Sequence, residues 1–255
     1  MQRRNFIVAA GAAFLAGCNK ISDSKWFEKL VDGAESWHRG LHRGLGMGRI
    51  TMAPEFERAD ISPFFRGNGN QDIETDEYRA AQADGFANWR LEVTGLVDNP
   101  LSLSIDDIRA LPQRTQITRH DCVEGWSAIG EWTGPQLSHL LEAAGVQAEA
   151  NFVVFHCADF FTRGSGDNRR RVDYYESCDL DDAMHPQTIV AHLLNGEPLP
   201  VRNGAPLRMR LERQLGYKHA KYLTGIELVA SLDDIEGGKG GYWEDVAGYQ
   251  WYAGI

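Results

Sequence analysis

No run of about 20 apolar residues, the length a membrane-spanning helix takes, occurs anywhere in this 255-residue sequence. Cysteine is scarce, with 4 residues, too few for a disulfide scaffold. No Cys-x-x-Cys-His is present for covalent haem. Lys and Arg together number 26 against 36 Asp and Glu, for a formal net charge of −10, and no basic stripe offsets that balance. A nucleic-acid partner needs such a stripe to displace counterions from phosphate, so none is expected. No internal repeat is visible. What remains, 43% apolar and 24% charged residues, is the make-up of an ordinary globular protein long enough to bury a sizeable core.

Residues 1–18 differ in kind from the rest. Arg3-Arg4 is followed by the uncharged run Phe6–Gly17 and then Cys18. The run is too short to span a bilayer but fits the apolar centre of an export signal. Arg3-Arg4-Asn5-Phe6 resembles a twin-arginine signal, and Leu15-Ala16-Gly17-Cys18 resembles a lipobox, whose cysteine would carry lipid. The expectation is a periplasmic or extracytoplasmic protein, exported by the twin-arginine route and associated with the membrane through a lipid on Cys18.

Further along, Trp26, Phe27, Leu30, Val31, Ala34, Trp37 and Leu41 recur at helical spacing, the pattern of a packing helix or a spacer. Residues 51–75, with Pro54, Pro63, Gly67 and Gly69, read as an irregular but ordered arm, because Phe56, Phe64 and Phe65 need burial. Gly67-Asn68-Gly69-Asn70 could approach a ligand, though such a run is more often a turn. A regular domain starts near Trp89, so the division is 1–18 signal, 19–88 helix and arm, and 89–255 catalytic domain. Strands are predicted at Leu91–Val93, Leu101–Leu103, Phe152–Cys157, Arg208–Leu211 and Leu223–Val229, and a hairpin at Ile189–Val201 about Asn195-Gly196. Ser104 should cap a short helix, and a second should run from Pro135 to a stop at Gly145. Asp179, Asp181 and Asp182 suit a helix start better than a calcium or magnesium site.

The chain is organised around residues 115–134. An extended run ends at Cys122, then Val123–Trp132 reads as a glycine- and tryptophan-containing loop leading to a helix start at Thr133-Gly134-Pro135. A lone cysteine is commonly an inert buried residue. Here Arg119, His120, Asp121 and Glu124 crowd it, a density of ionisable groups that an inert core position does not tolerate cheaply. A reactive or metal-binding thiolate follows. A second constellation, Asn203-Gly204-Ala205-Pro206-Leu207-Arg208 with Gly216-Tyr217-Lys218-His219-Ala220-Lys221, sets basic groups beside flexible backbone as a phosphate site requires.

Cys122-Val123-Glu124-Gly125-Trp126-Ser127 followed by Trp132-Thr133-Gly134, together with both basic segments and Asp182-Ala183-Met184-His185-Pro186, resembles the sulfite-oxidase-type molybdopterin oxidoreductases. The likeness is to the bacterial branch that contains the periplasmic protein-methionine-sulfoxide reductase catalytic subunit. It runs in consistent order over about residues 89–229. It implies an α+β, mixed-sheet fold and one molybdenum-molybdopterin per chain, with Cys122 as the metal ligand and catalytic centre. It further implies that Asn203 and Arg208 contact the pterin, that His219, Ala220 and Lys221 cradle it, and that Cys157 stands where the family has a threonine. Asn68 is the candidate for a cofactor-contacting asparagine ahead of the domain, whereas the family's Tyr-Glu there has no clear counterpart.

The chemistry implied is oxygen-atom transfer to or from a small sulfur-containing or similar substrate. No Ig-like dimerisation domain or haem domain is expected, so electrons would pass through a separate redox partner, a membrane cytochrome. Two other readings stay open: a thiol enzyme using Cys122 as nucleophile and His120 as base, and a cofactor-binding lipoprotein without turnover. Cys157 and Cys178 are expected to be free, with a disulfide as the alternative. The aromatic tail, Tyr242, Trp243, Tyr249, Trp251 and Tyr252, is expected to seal the core.

Overall fold

Alternation of apolar and polar residues builds the principal sheet of the computed structural model, in which residues 51–255 are described. In β1 (Leu91–Gly95), Leu91 and Val93 are buried while Glu92 faces water. β1 pairs antiparallel with β2 (Leu101–Leu103) and parallel with β11 (Leu223–Val229). β11 then pairs antiparallel with β5 (Phe152–Arg163), and β5 with β6 (Arg170–Asp179). The order β2-β1-β11-β5-β6 is therefore a mixed sheet, and with few helices the fold is α+β. A second sheet, β3 (Gln113–Cys122), β4 (Trp126–Pro135), β8 (Leu193–Leu194) and β9 (Glu197–Pro198) in that order, is antiparallel throughout, and β7 (Ile189–Ala191) and β10 (Arg208–Arg210) form a two-stranded ladder.

Helix ends follow the sequence closely. α1 (Asp76–Ala83) is capped by Thr75, and in α2 (Ile105–Ala110) Ser104 and Asp107 close the expected capping box. α3 (Leu137–Ala144) stops at Gly145, whose φ of 69° suits glycine. Its Leu137, Leu140 and Leu141 are fully buried, each contributing about 1.5–3 kcal/mol. Asp179 caps α4 (Leu180–Ala183), and α5 (Tyr242–Ala247) closes the described chain.

Three expectations fail locally. The stretch after Cys122 is no loop: β3 (Gln113–Cys122) turns tightly into β4 (Trp126–Pro135), and the two pair from Cys122↔Trp126 to Gln113↔Pro135. The glycines that suggested a loop serve close packing instead. A Cβ on Gly134 would fall onto the Val190 carbonyl, and one on Gly130 would press on Leu194 and Phe65. Gly134→Ala should accordingly lower stability by about 1–3 kcal/mol in a denaturant titration, the cost of overpacking against backbone. The helix then starts at Leu137 rather than at Pro135, which still belongs to the ladder.

Second, the hairpin is shorter than expected. Asn195 and Gly196, with φ of 54° and 81°, join β8 (Leu193–Leu194) to β9 (Glu197–Pro198), but Pro198 and Pro200 carry no N–H and the ladder ends. Third, β5 continues past Cys157 to Arg163 by way of an irregularity. Between His156↔Tyr175 and Phe160↔Asp173, three residues of β5 oppose one of β6.

Residues Met52–Ile255 form one unit by contact, so the irregular arm belongs to the same body as the sheets. Phe65 is buried in a small core with Trp132, Ile189, Ala191 and Leu194, as expected, but Phe64 is 59% exposed. The signal, Cys18 and the apolar stripe of residues 26–41 lie outside the described residues.

Candidate cofactor and active site

Cys122 sits at the last position of β3, where the turn is closed by Gly125 N–H donating to the Cys122 carbonyl at 3.0 Å with Gly125 at φ 82°. It opens onto a cavity of about 230 Å³ lined also by Asn68, Glu124, Asp159, His219 and Lys221. Gly69 and Val123 complete the wall with five aromatics, Phe161, Tyr174, Tyr217, Trp243 and Tyr249. Burial pushes the Cys122 thiol up, opposed by the backbone N–H of Glu124.

Of the sequence-predicted cofactor contacts, Asn68, His219 and Lys221 share this wall with Cys122. Asn203 and Arg208 are buried behind it: Arg208 Nη1 donates to the Asn203 carbonyl at 2.9 Å and Nη2 to the His219 carbonyl at 3.3 Å. Cys157 and Ala220 do not reach the wall. Cys157 Sγ lies 3.9 Å from the Phe155 carbonyl, and Ala220 spends its N–H on Lys218 and its carbonyl on Met209. Lys218, expected among the donors, turns away to two buried glutamates. Cys122, Cys157 and Cys178 are all free thiols.

Several polar atoms near this wall are buried without a protein partner: Asn68 Oδ1, both side-chain polar atoms of Asn203, Arg208 Nε and His219 Nδ1. Buried groups are almost always hydrogen-bonded, so each asks for a ligand. The charges make the same demand. Arg208 and Lys221 hydrogen-bond only to carbonyl oxygens, Lys221 Nζ to Asn70 and Arg202, and among the described residues neither forms an ion pair. Two buried cations that form no ion pair, although Asp159 and Glu124 act on Lys221 through space, fit, beside amide-like donors and acceptors, a polar heterocycle that carries phosphate. Among the described residues no group of three or more His, Cys, Asp or Glu could hold a metal, and Cys122 is the thiol on the cavity wall.

The uncompensated charge has a pH signature. Burial, then Arg208, holds Lys221 down to about 7; burial, then Arg210, holds Arg208 down to about 9. Both folded values lie below the unfolded ones, so over this window the unfolded chain binds more protons than the folded one. The penalty is full below about pH 7 and is relieved as pH rises, so the cofactor-free protein should become more stable from about pH 7 to 10.5. Lys221→Met should flatten that rise in thermal denaturation; an identical slope in both proteins would refute the assignment.

His120 is not poised as a base for Cys122. Its Nδ1 lies 3.0 Å from Arg210 Nη1, its ring packs on Trp126 at 5.4 Å, and burial, then His219, holds it well below the usual imidazole range. Arg119 forms a surface ion pair with Asp121 at 2.9 Å, and Glu124 accepts from Trp126 Nε1 at 2.9 Å.

Sequence reading missed five wall residues, Asp159, Phe161, Tyr174, Trp243 and Tyr249. Asp159 is delivered by the β5 irregularity, which re-aims side chains as bulges do. Its Oδ1 accepts from Asn70 Nδ2 at 2.7 Å and from the Phe160 N–H at 2.8 Å. The aromatic tail divides: Tyr242 is buried and stacks on Phe161 at 4.6 Å, but Trp243 and Tyr249, stacked at 5.7 Å, face the cavity. No local signal separates these roles, because all five tail aromatics look alike in sequence.

Comparison with known proteins agrees with this geometry. Residues 78–234 match the family described as the oxidoreductase molybdopterin binding domain. YedZ1 of Azospira oryzae, provisionally named a protein-methionine-sulfoxide reductase subunit, is 41% identical over 244 residues, covering 96% of this chain and 83% of that protein. The protein-methionine-sulfoxide reductase catalytic subunit MsrP of Xanthomonas campestris pv. campestris is 32% identical over 180 residues, 68% of this chain. That alignment spans 56% of the Xanthomonas protein, little more than half its length. Among solved structures, the sulfane dehydrogenase SoxCD of Paracoccus pantotrophus shares the fold, with a TM-score of 0.51 at 20% identity over 63% of this chain and 41% of that one. The chain described here belongs to the sulfite-oxidase-type molybdopterin-dependent oxidoreductases.

Proposed function

We propose that this protein moves an oxygen atom at a single-pterin molybdenum centre ligated by Cys122, working as a sulfoxide reductase on a small or protein-borne thioether oxide. The observation that carries the reading is the pairing of one cavity-facing thiol with two buried cations that lack anionic partners. The names of the Azospira and Xanthomonas relatives favour the reductive direction and a methionine-sulfoxide-like substrate. When bound, the molybdenum-pterin would supply two-electron oxygen-transfer chemistry.

The chain's own residues have separable tasks. Arg208 and Lys221 neutralise phosphate, while Asn68, Asn203 and His219 hydrogen-bond the heterocycle through atoms that have no protein partner. Cys157 and Ala220 support that layer from behind. Cys122 binds metal as thiolate, the form that coordination favours over the burial that opposes it. Phe161, Trp243 and Tyr249 exclude water and seat an uncharged sulfur group, and with Glu124 and Asp159 as the acids on the wall, an anion such as sulfite is disfavoured.

The same reading places the protein outside the cytoplasm, with residues 1–18 as a twin-arginine-type leader, Cys18 lipidated, and residues 19–88 preceding a catalytic domain at 89–255. No helix of the described residues is long and apolar enough to cross a membrane, and relatives are named as subunits, which favours a separate membrane redox partner such as a cytochrome. The test is metal and pterin analysis of the exported protein, followed by reduction of methionine sulfoxide with a reduced dye. About one molybdenum and one pterin per chain is expected; protein from a molybdenum-replete host that carries none would sink the proposal.

A further inference from the structure

Beside the cavity, and unused so far, lies a fully buried trio. Lys218 Nζ is 2.7 Å from Glu176 Oε2 and 2.7 Å from Glu244 Oε1, with all three side chains at most 1% exposed. The rings of Tyr217 and Trp251 lie on the same ammonium, each 5.8 Å away. Two carboxylates against one ammonium leave a net negative charge in a dry interior, which is costly.

The oxygens locate the remedy. Glu176 Oε2 has only the Lys218 ammonium, 2.7 Å away, and Glu244 Oε2 has no hydrogen-bond partner. Both oxygens converge on the same point over Gly241, where a Cβ would collide with each of them. Two buried acceptors facing one spot without a donor are satisfied by a proton between them. Burial, with Glu244 adding to it against Lys218, pushes the Glu176 carboxyl well above the usual range. The ionisable groups around the trio are Tyr174, Tyr175, Cys157, Cys178 and Asp245, with Lys221 acting on Cys157 and Arg213 on Cys178 as the further cations.

The trio also touches the site. Tyr174 lines the cavity, and its hydroxyl lies 3.3 Å from Glu176 Oε1 while donating to the Tyr217 carbonyl at 2.7 Å. We propose that Glu176 and Glu244 hold one proton between them at neutral pH and feed it through the Tyr174 hydroxyl to the cavity. The delivery step rests on the oxygen-transfer reading. Reducing a sulfoxide consumes two protons and two electrons and yields a thioether and water. The electrons come from the external reductant through the cofactor. Tyr174 O–H, turning from the Tyr217 carbonyl, gives one of the two protons to the departing oxygen and regains one from Glu176 Oε1, to which the shared proton passes when the Glu176 carboxyl rotates. The second proton, and the one that reloads the pair through Tyr174, are taken up from bulk solvent by way of the cavity, so each thioether and water released consumes two solvent protons and two electrons. Glu176 and Glu244 act as proton-storing residues through Tyr174.

Infrared difference spectroscopy on hydrogen–deuterium exchange tests the store in protein with or without cofactor. A protonated-carboxyl band at neutral pH is expected, lost in both Glu176→Gln and Glu244→Gln, each variant checked for a wild-type melting profile. Absence of the band, or its survival in both variants, overturns the proposal. In the molybdenum-loaded protein, Tyr174→Phe should keep the band yet lower kcat about tenfold or more, with the loss growing as pH rises. A Tyr174→Phe enzyme with wild-type kcat and pH profile overturns the delivery step. Because the band needs no cofactor, a protein that lacks molybdenum would end the oxygen-transfer reading while leaving the stored proton to stand or fall by itself.

Discussion

Cys122→Ala is expected to fold, to retain pterin, and to lose sulfoxide reduction by well over 100-fold. Removing an outer partner of a metal ligand already costs roughly 10–100-fold, and this change removes the ligand itself. The fold should survive, because Cys122 holds its place through backbone pairing with Trp126 at the end of a ten-residue ladder. Pterin should also survive, since the atoms proposed to bind it come from Asn68, Asn203, Arg208, His219 and Lys221. Pterin content, dye-linked activity and the metal's thiolate absorption, measured together, separate the outcomes. Full activity in this variant would refute ligation, and loss of pterin with loss of fold would show that the cysteine is structural.

Arg208→Met should have the opposite profile, with cofactor content falling to a small fraction while the cofactor-free fold changes stability by no more than about 1 kcal/mol. A buried ion that has no partner contributes little or costs stability, and an apolar side chain of similar size removes that cost. Against the gain stand the two carbonyl bonds that Arg208 makes to Asn203 and His219, whose loss leaves each buried carbonyl unsatisfied at about 1–3 kcal/mol. The two effects nearly cancel in the cofactor-free chain. In the loaded protein, nothing replaces the guanidinium that faces the proposed phosphate. Denaturant titration of both cofactor-free proteins, beside pterin analysis of both loaded ones, checks this. A strongly destabilised cofactor-free variant with normal pterin would mean that Arg208 is a structural cation.

Much of this was legible in the chain alone. Strand alternation at Leu91 and Val93, the Ser104–Asp107 box and the Gly145 stop are local, so their spacing carries them. Cys122, Asn203, Arg208, His219 and Lys221 were singled out because they lie in short ordered motifs, and the structure places Cys122, His219 and Lys221 on one cavity wall with Arg208 bonded to the Asn203 and His219 carbonyls. Where local signals misled, a distant partner decided. Gly130 and Gly134 read as loop residues, but the facing backbone and side chains need their missing Cβ atoms. Lys218 and Lys221 are three residues apart and look equivalent, yet Glu176 and Glu244 neutralise the first while the second meets only carbonyls.

By itself, then, the sequence carried the resemblance that implied the fold class and the family, and it singled out the residues proposed to hold a pterin, since these lie in motifs of a few residues. Only the tertiary structure decided that Asp159, Trp243 and Tyr249 share the wall with Cys122, that Cys157 and Ala220 stand behind it, and that Glu176, Lys218 and Glu244 meet. The reason is physical: burial, charge compensation and hydrogen-bond satisfaction are properties of neighbourhoods in space. Strand register and the β5 irregularity bring those neighbours together from far apart in the chain.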